Sequence, residues 1–205
     1  MDKKSNKHAH LETTLTASEA IRTILAHNLS YLAMWEEAAR SPEDIEGVHQ
    51  ARVAFRRMRS ALTIFRLVIP KKVSTQWADE MRELAGRLGQ ARDLDVFIDE
   101  ALGHIRDKLP LPGAAKLEAL AIRNRDKAYE SVRSMLDSEQ YARFKTEFEH
   151  WINNRGWEQA ELKKKQRTLL AEGLVPFARK VLDRQERRVL EAGAHVDKHA
   201  AGEMH

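Results

Sequence analysis

Apolar residues recur along almost the whole chain at the spacing of one face of a helix, and no alternating apolar run bounded by hairpin turns interrupts them. That single property leaves little besides an all-α fold. The punctuation agrees with it. Thr16-Ala17-Ser18-Glu19 reads as a capping box, followed by Ile21, Ile24, Leu25, Leu32 and Trp35 at helical spacing as far as about Arg40. Ser41-Pro42-Glu43-Asp44 reads as the start of a second helix, with a cap, a proline in the first turn and acids at the positive end of the dipole. This helix is expected to run to Ile69 and stop at Pro70. A third spans Val73 to Leu88, closing at Gly89, and a fourth runs from Gln90 to Lys108. The "LPLPG" stretch is the best internal boundary. Beyond it, Ala114–Leu136, Glu139–Trp151 and Glu172–Ala192 read as helices, "NNRG" at 153–156 as a turn, and 157–167 as helix or loop. The expected architecture is all-α helical bundles: a polar, flexible tail over 1–15, a four-helix bundle over about 16–109, and a second helical bundle over about 114–205.

The segment "VHQARVAFRRMRS" reads either as a solvated helix face or as a binding surface for a polyanion. On a helical projection His49, Arg52, Arg56 and Arg59 fall on one stripe roughly 80° wide. Arg66 extends that stripe, and Ala51, Phe55, Met58, Leu62, Phe65 and Ile69 take the opposite, core-facing side. From Val48 to Trp77 there is no Asp or Glu, although the window also holds Arg57, Lys71 and Lys72. A solvated helix face usually interleaves signs, since i,i+4 ion pairs help and like pairs such as Arg52 with Arg56 cost about 0.2–0.5 kcal/mol. Either acids from other helices answer these cations or an anionic ligand does, and the planar guanidinium fork suits phosphate oxygens. The net charge of +4, from 35 basic and 31 acidic residues, carries little of this argument; the distribution carries it.

Two motifs in series give the resemblance. "VHQARVAFRRMRSALTIF" carries the frame His49, Arg52, Arg56, Arg59. "LAGRLGQARDLDVFIDE" carries Leu88-Gly89 and then Arg92 to Val96. Together they resemble the CHAD family, the conserved histidine α-helical domains, over residues 16–205. The resemblance implies two similar helical bundles related by duplication, and binding of inorganic polyphosphate through a basic channel or groove, in some members at polyphosphate granules. It also implies a frequent triphosphate-tunnel companion domain, for which this sequence has no β-rich region. The implied polyphosphate-binding residues are His49, Arg52, Arg56, Arg59 and Arg66, with Lys71 and Lys72 continuing the track and Arg92 opening the second motif. Asp95 is expected to pair with an arginine and hold its rotamer.

The family pattern has a second His/Arg helix in the C-terminal half. Here His205 falls where its histidine would stand, with no arginine frame after it. The chain thus looks cut short, and a second copy or a further C-terminal segment would complete the basic surface. Lys180, Arg184 and Arg187 share a helix face with Arg188 beside it, but Asp183, Glu186 and Glu191 lie close, so a solvated surface is the stronger reading. Arg184, Arg188 and His205 enter the expected site through the resemblance. "ELKKKQR" at 161–167 reads as a wet basic loop.

The competing functions are a nucleic-acid-binding helical protein and a metal-dependent phosphohydrolase. Against the first, the cationic stripe has no Asn or Gln row and no aromatic platform to read bases; Trp35, Trp77, Trp151 and Trp157 fit packing positions. Against the second, there is no Gly-x-x-x-x-Gly-Lys-Ser/Thr loop. His195 and His199, with Glu203 and His205 near, are a weak metal set, as are His8 and His10. No catalysis, metal or cofactor is expected. Absence of cysteine excludes disulfides and thiolate metal sites. The N-terminus lacks the apolar segment of a signal peptide, and no apolar run approaches the roughly 20 residues of a membrane span. A soluble cytoplasmic protein, in places at polyphosphate granules and without membrane contact, is the expectation.

Overall fold

The computed structural model describes residues 8–103 and 113–200, the last seven of these as backbone only. Among them every regular element is a helix. Helix α1 (Ala17–Trp35) begins where its chemistry dictates: the Thr16 hydroxyl accepts from the Glu19 N–H at 3.2 Å, and the Glu19 carboxylate accepts from the Thr16 N–H at 2.8 Å. A 3₁₀ turn, Ala38–Arg40, leads to α2 (Ile45–Ile64), which tightens into a second 3₁₀ turn, Phe65–Leu67. Then follow α3 (Lys71–Arg87), α4 (Gly89–Val96) with a π-helical continuation over Phe97–Leu102, α5 (Ala114–Leu136), α6 (Glu139–Asn153), α7 (Lys164–Ala171) and α8 (Leu174–Ala200).

Helix α1 ends before Arg40 and α2 before Ile69, and the sequence reading compares with the structure at three further points. Ser41 does not cap α2: its hydroxyl accepts from the N–H of Glu43 at 3.2 Å, a local turn that delays the helix until Ile45. The break between α3 and α4 falls at Leu88, where the sequence reading puts it, although Gly89 lacks a positive φ and opens α4 at once. Half of the "ELKKKQR" cluster is helical in α7, opened by the Lys163 N–H donating to the Gln166 side chain at 3.0 Å.

Buried residues on both sides of the Pro/Gly stretch belong to one continuous core. Trp77 of α3 meets Phe144, Phe148 and Trp151 of α6, with ring centroids 6.3, 4.9 and 5.7 Å away. Each such aromatic contact adds about 0.5–1.5 kcal/mol beyond its area. Phe55 of α2 touches Phe144 as well. Trp157, fully buried, donates its indole N–H to Ser18 Oγ at 2.9 Å, fixing the turn after α6 to α1. At the far end of α2, Phe65 stacks on Phe177 of α8 with centroids 5.2 Å apart. The Leu15 carbonyl accepts from the Leu174 N–H at 2.7 Å, and the Ala17 N–H donates to the Glu172 carbonyl at 2.8 Å. The ring stack places α8 at the C-terminal end of α2, and the two backbone bonds tie the start of α8 to the start of α1. No described helix is long and apolar enough to cross a membrane.

Candidate polyanion-binding cleft

Helix α2 buries Ala51, Phe55, Met58 and Leu62 and keeps His49, Arg52, Arg56 and Arg59 off the core, as its period requires. Those four residues, with Arg92 from α4, line a single cleft of about 460 Å³. Val53 contributes to its floor, and the opposite wall is Arg82, Ala85 and Gly86 of α3. The small residues on that wall matter. Arg52 Nη1 lies against the α3–α4 junction and donates to the Ala85 carbonyl at 3.2 Å. At Gly89, a Cβ would come within 3.0 Å of the same guanidinium nitrogen.

Among the described residues no carboxylate lies within ion-pair distance of Arg52, Arg56, Arg59 or Arg92. Arg82 is different, being paired with Asp79. The charge of the cleft is therefore unanswered on the α2 and α4 sides. Burial holds the His49 imidazole below its ordinary range; Arg92, Arg56 and Arg52 push it the same way, against Glu46.

Asp95 sits behind the cleft, 1% exposed on the buried face of α4. The expected arginine partner is not the one that holds it. One carboxylate oxygen accepts from the Tyr129 hydroxyl of α5 at 2.8 Å, and the other has no hydrogen-bond partner. Burial pushes this carboxyl above the usual range; the Tyr129 hydrogen bond and the charges of Arg125 and Arg92 pull it back. Tyr129→Phe is expected to cost about 1–3 kcal/mol at neutral pH, because it strands a buried charge. Adding Asp95→Asn should recover part of that loss. A carboxyl raised in the folded state favours folding below its ordinary pKa, and that contribution is lost as pH rises through the raised value. Tyr129→Phe should thus be less harmful at pH 5 than at pH 7, as read by thermal melts.

The other expected site residues lie elsewhere. Arg66 is exposed in the 3₁₀ turn that follows α2, and Lys71 and Lys72 are exposed in the first turn of α3. None of the three lines the cleft. Arg184 and Arg188 line a separate groove with Lys165, Lys180 and Arg187, beside Leu67. His205, and the side chains of His195 and His199, lie outside the described residues. His8 borders a larger apolar groove of about 700 Å³ between α1, α2 and α8, into whose rim Arg56 also reaches. Arg82, Ala85 and Gly86 escaped the sequence reading. Their only signal was the i, i+3, i+4 spacing of one arginine and two small residues on α3.

The family model for the CHAD domain matches residues 23–205. The chain belongs to the CHAD domain family. A crystal structure of the CHAD domain from the plant Ricinus communis is similar with a TM-score of 0.73 and 27% identity, over 92% of this chain and 60% of that one. Two uncharacterized proteins of Mycobacterium tuberculosis, from strains CDC 1551 / Oshkosh and ATCC 25618 / H37Rv, are each 35% identical over 82 residues. That stretch is 40% of this chain and 16% of the length of either relative. The all-helical architecture of this chain is that of its CHAD neighbour.

Proposed function

We propose that this CHAD protein binds inorganic polyphosphate, without chemically transforming it, along the cationic edge of α2. The observation that carries the reading is the set of four guanidinium groups, Arg52, Arg56, Arg59 and Arg92, brought to one cleft with His49 and without carboxylate partners among the described residues. Polyphosphate offers a repeating anion with no base edges, so charge matching and donor forks suffice to hold it. A cytoplasmic site of action, at polyphosphate granules, accords with that ligand. The test is competition: long-chain polyphosphate is labelled, and duplex DNA and RNA are added at matched charge. A polyphosphate protein keeps the label, whereas loss of the label to either nucleic acid would favour the nucleic-acid reading.

The histidine makes this binding pH-dependent. Glu46, Arg52, Arg56 and Arg59 on α2, Arg82 on α3 and Arg92 on α4 are the charged groups that act on it or share its cleft. In the free protein the ring is held below its ordinary pKa, and a phosphate beside it raises that value. The protonated ring therefore binds more tightly. Affinity rises as pH falls from the bound-state pKa to the free-state pKa, which lies below the ordinary value of about 6.5, and is flat outside that window. Calorimetry in buffers of different ionisation enthalpy should register proton uptake for the parent and none for His49→Ala.

A further inference from the structure

The apolar groove between α1, α2 and α8 has no part in holding a bare polyanion, yet it is the better-formed concavity. It encloses about 700 Å³, within the roughly 300–1,000 Å³ of small-molecule sites. Phe65, Phe177 and Val181 line it as buried residues, whereas Ile64 and Leu182 line it while 47% and 67% exposed. Large apolar side chains left in water around a concave apolar surface mark a place where something binds.

Two polar features of the lining define the chemistry of the ligand. Asn28 of α1 is 4% exposed. Its amide nitrogen donates to the Ile24 carbonyl at 2.7 Å, and its Oδ1 is buried with no hydrogen-bond partner. A buried acceptor left empty costs free energy, which a donor on a bound molecule recovers. Arg56 is the second feature, because it lines both this groove and the α2 cleft. Among the described residues no carboxylate lies within ion-pair distance of it, and no Asp or Glu lines the groove. Its neighbour Arg57 is held over the Tyr31 ring, 5.5 Å from the centroid. An apolar trough, an orphaned acceptor and an unanswered guanidinium call for an apolar chain, a donor and an acidic head.

We propose that this groove binds a long-chain carboxylic acid carrying a hydroxyl, with the chain against Ile64, Phe177 and Leu182, the hydroxyl donating to Asn28 Oδ1 and the carboxylate on Arg56. Because Arg56 also lines the α2 cleft, this ligand and polyphosphate oppose each other; that consequence alone rests on the polyphosphate reading. By linkage each weakens the other by the same factor, typically about 5–150-fold.

Calorimetric titration with 3-hydroxydodecanoate, below its micelle-forming concentration, tests the site directly. Each buried methylene adds roughly fourfold, so this probe should bind at least about 100-fold tighter than 3-hydroxybutyrate. Dodecanoate, which lacks the hydroxyl, should bind about 5-fold more weakly than the probe in the parent and equally in Asn28→Leu. Leu182→Glu sets a carboxylate in the groove wall and should weaken the probe at least about 10-fold. Val189→Glu, the same change of charge on α8 at an exposed residue outside the groove, should leave it unchanged. With the probe saturating, long-chain polyphosphate should bind the parent at least about 5-fold more weakly, whereas equimolar acetate has no such effect.

A probe that binds no tighter than 3-hydroxybutyrate, is matched by dodecyltrimethylammonium, or is undiminished in Leu182→Glu overturns the site and leaves the polyphosphate reading standing. Equal binding of dodecanoate by the parent overturns the role of Asn28. A probe that binds without weakening polyphosphate overturns the sharing of Arg56. Polyphosphate that fails to bind in the absence of the probe overturns the first reading, and with it only the antagonism. A parent that sediments as a dimer and takes up no probe gives the groove to a second copy of the chain instead.

Discussion

Replacing Arg52, Arg56 and Arg59 together by alanine should weaken long-chain polyphosphate binding by about a thousand-fold while leaving the melting temperature within a few degrees of the parent. The loss follows from charge-assisted hydrogen bonds worth about 1.5–3 kcal/mol each; three at the lower figure give roughly 4.5 kcal/mol, and every 1.4 kcal/mol is tenfold. The small effect on stability follows from opposed terms of similar size. Relief of the like-charge pairs along α2 returns about 0.2–0.5 kcal/mol per pair. Loss of the Arg52 bond to the Ala85 carbonyl, charge-assisted but only part-buried, costs about 1.5 kcal/mol, the low end for such bonds. None of the three side chains belongs to the core. A salt titration supplies the second measurement. Log affinity should fall linearly with log salt, and the triple variant should have a slope smaller by about 2, taking roughly 0.7 per neutralised phosphate from single-stranded nucleic acid. An unchanged slope would mean that these guanidinium groups do not touch the polymer. A melting temperature lowered by more than about 10 °C would mean that they are part of the fold instead.

The cationic edge of α2 was legible because every cause of it is local. A helical period puts positions 49, 52, 56 and 59 on one side, and an acid-free window leaves them without partners inside their own segment. The same holds for the Thr16 capping box and for α5, whose limits at Ala114 and Leu136 match the reading of its sequence. What the sequence concealed is set by packing between segments. Ala85 and Gly86 face the arginines only because α3 crosses beside α2, and Asp95 finds Tyr129 at a separation of 34 residues. The α7–α8 groove was legible only in part, as the shared face of Lys180, Arg184 and Arg187 with Arg188 beside it. Asp183, Glu186 and Glu191 dilute the basic residues of α8 in sequence, whereas the fold sets Lys165 and Leu67 beside Lys180, Arg184, Arg187 and Arg188 and brings only Glu191 of those acids into the lining. Ser41 misled for the opposite reason: its hydroxyl takes the N–H of Glu43, two residues on, which suffices for a turn and falls short of a helix cap.

Gly47→Ala should destabilise the protein by about 3 kcal/mol or more, although alanine is the better helix former. Gly47 lies in the first turn of α2, where the helix passes the 3₁₀ turn Ala38–Arg40. A Cβ there would stand 2.2 Å from the Ala38 carbonyl carbon and 2.3 Å from the Ala39 nitrogen. These are backbone atoms that cannot rotate away, and Ala39 is itself fully buried. Helix propensity favours alanine by at most about 1 kcal/mol, while forced overpacking costs typically 1–3 kcal/mol and more where the backbone must move. The clash decides the sign. For a chain of this size that is a fall of roughly 6–12 °C in Tm. Gly86→Ala isolates the propensity term: a Cβ on that helical glycine would meet no atom within 4 Å, so the same substitution should raise stability by about 0.5–1 kcal/mol. Function should follow the first change as well. His49 is two residues from Gly47 and Arg52 five, so relieving the clash by shifting the start of α2 displaces the cationic edge from Ala85 and Gly86 across the cleft. Polyphosphate affinity is therefore expected to drop in Gly47→Ala even at temperatures where the variant is fully folded. A variant that melts with the parent and binds with it would show that α2 does not press on the 3₁₀ turn, and that the cleft does not depend on that contact for its shape.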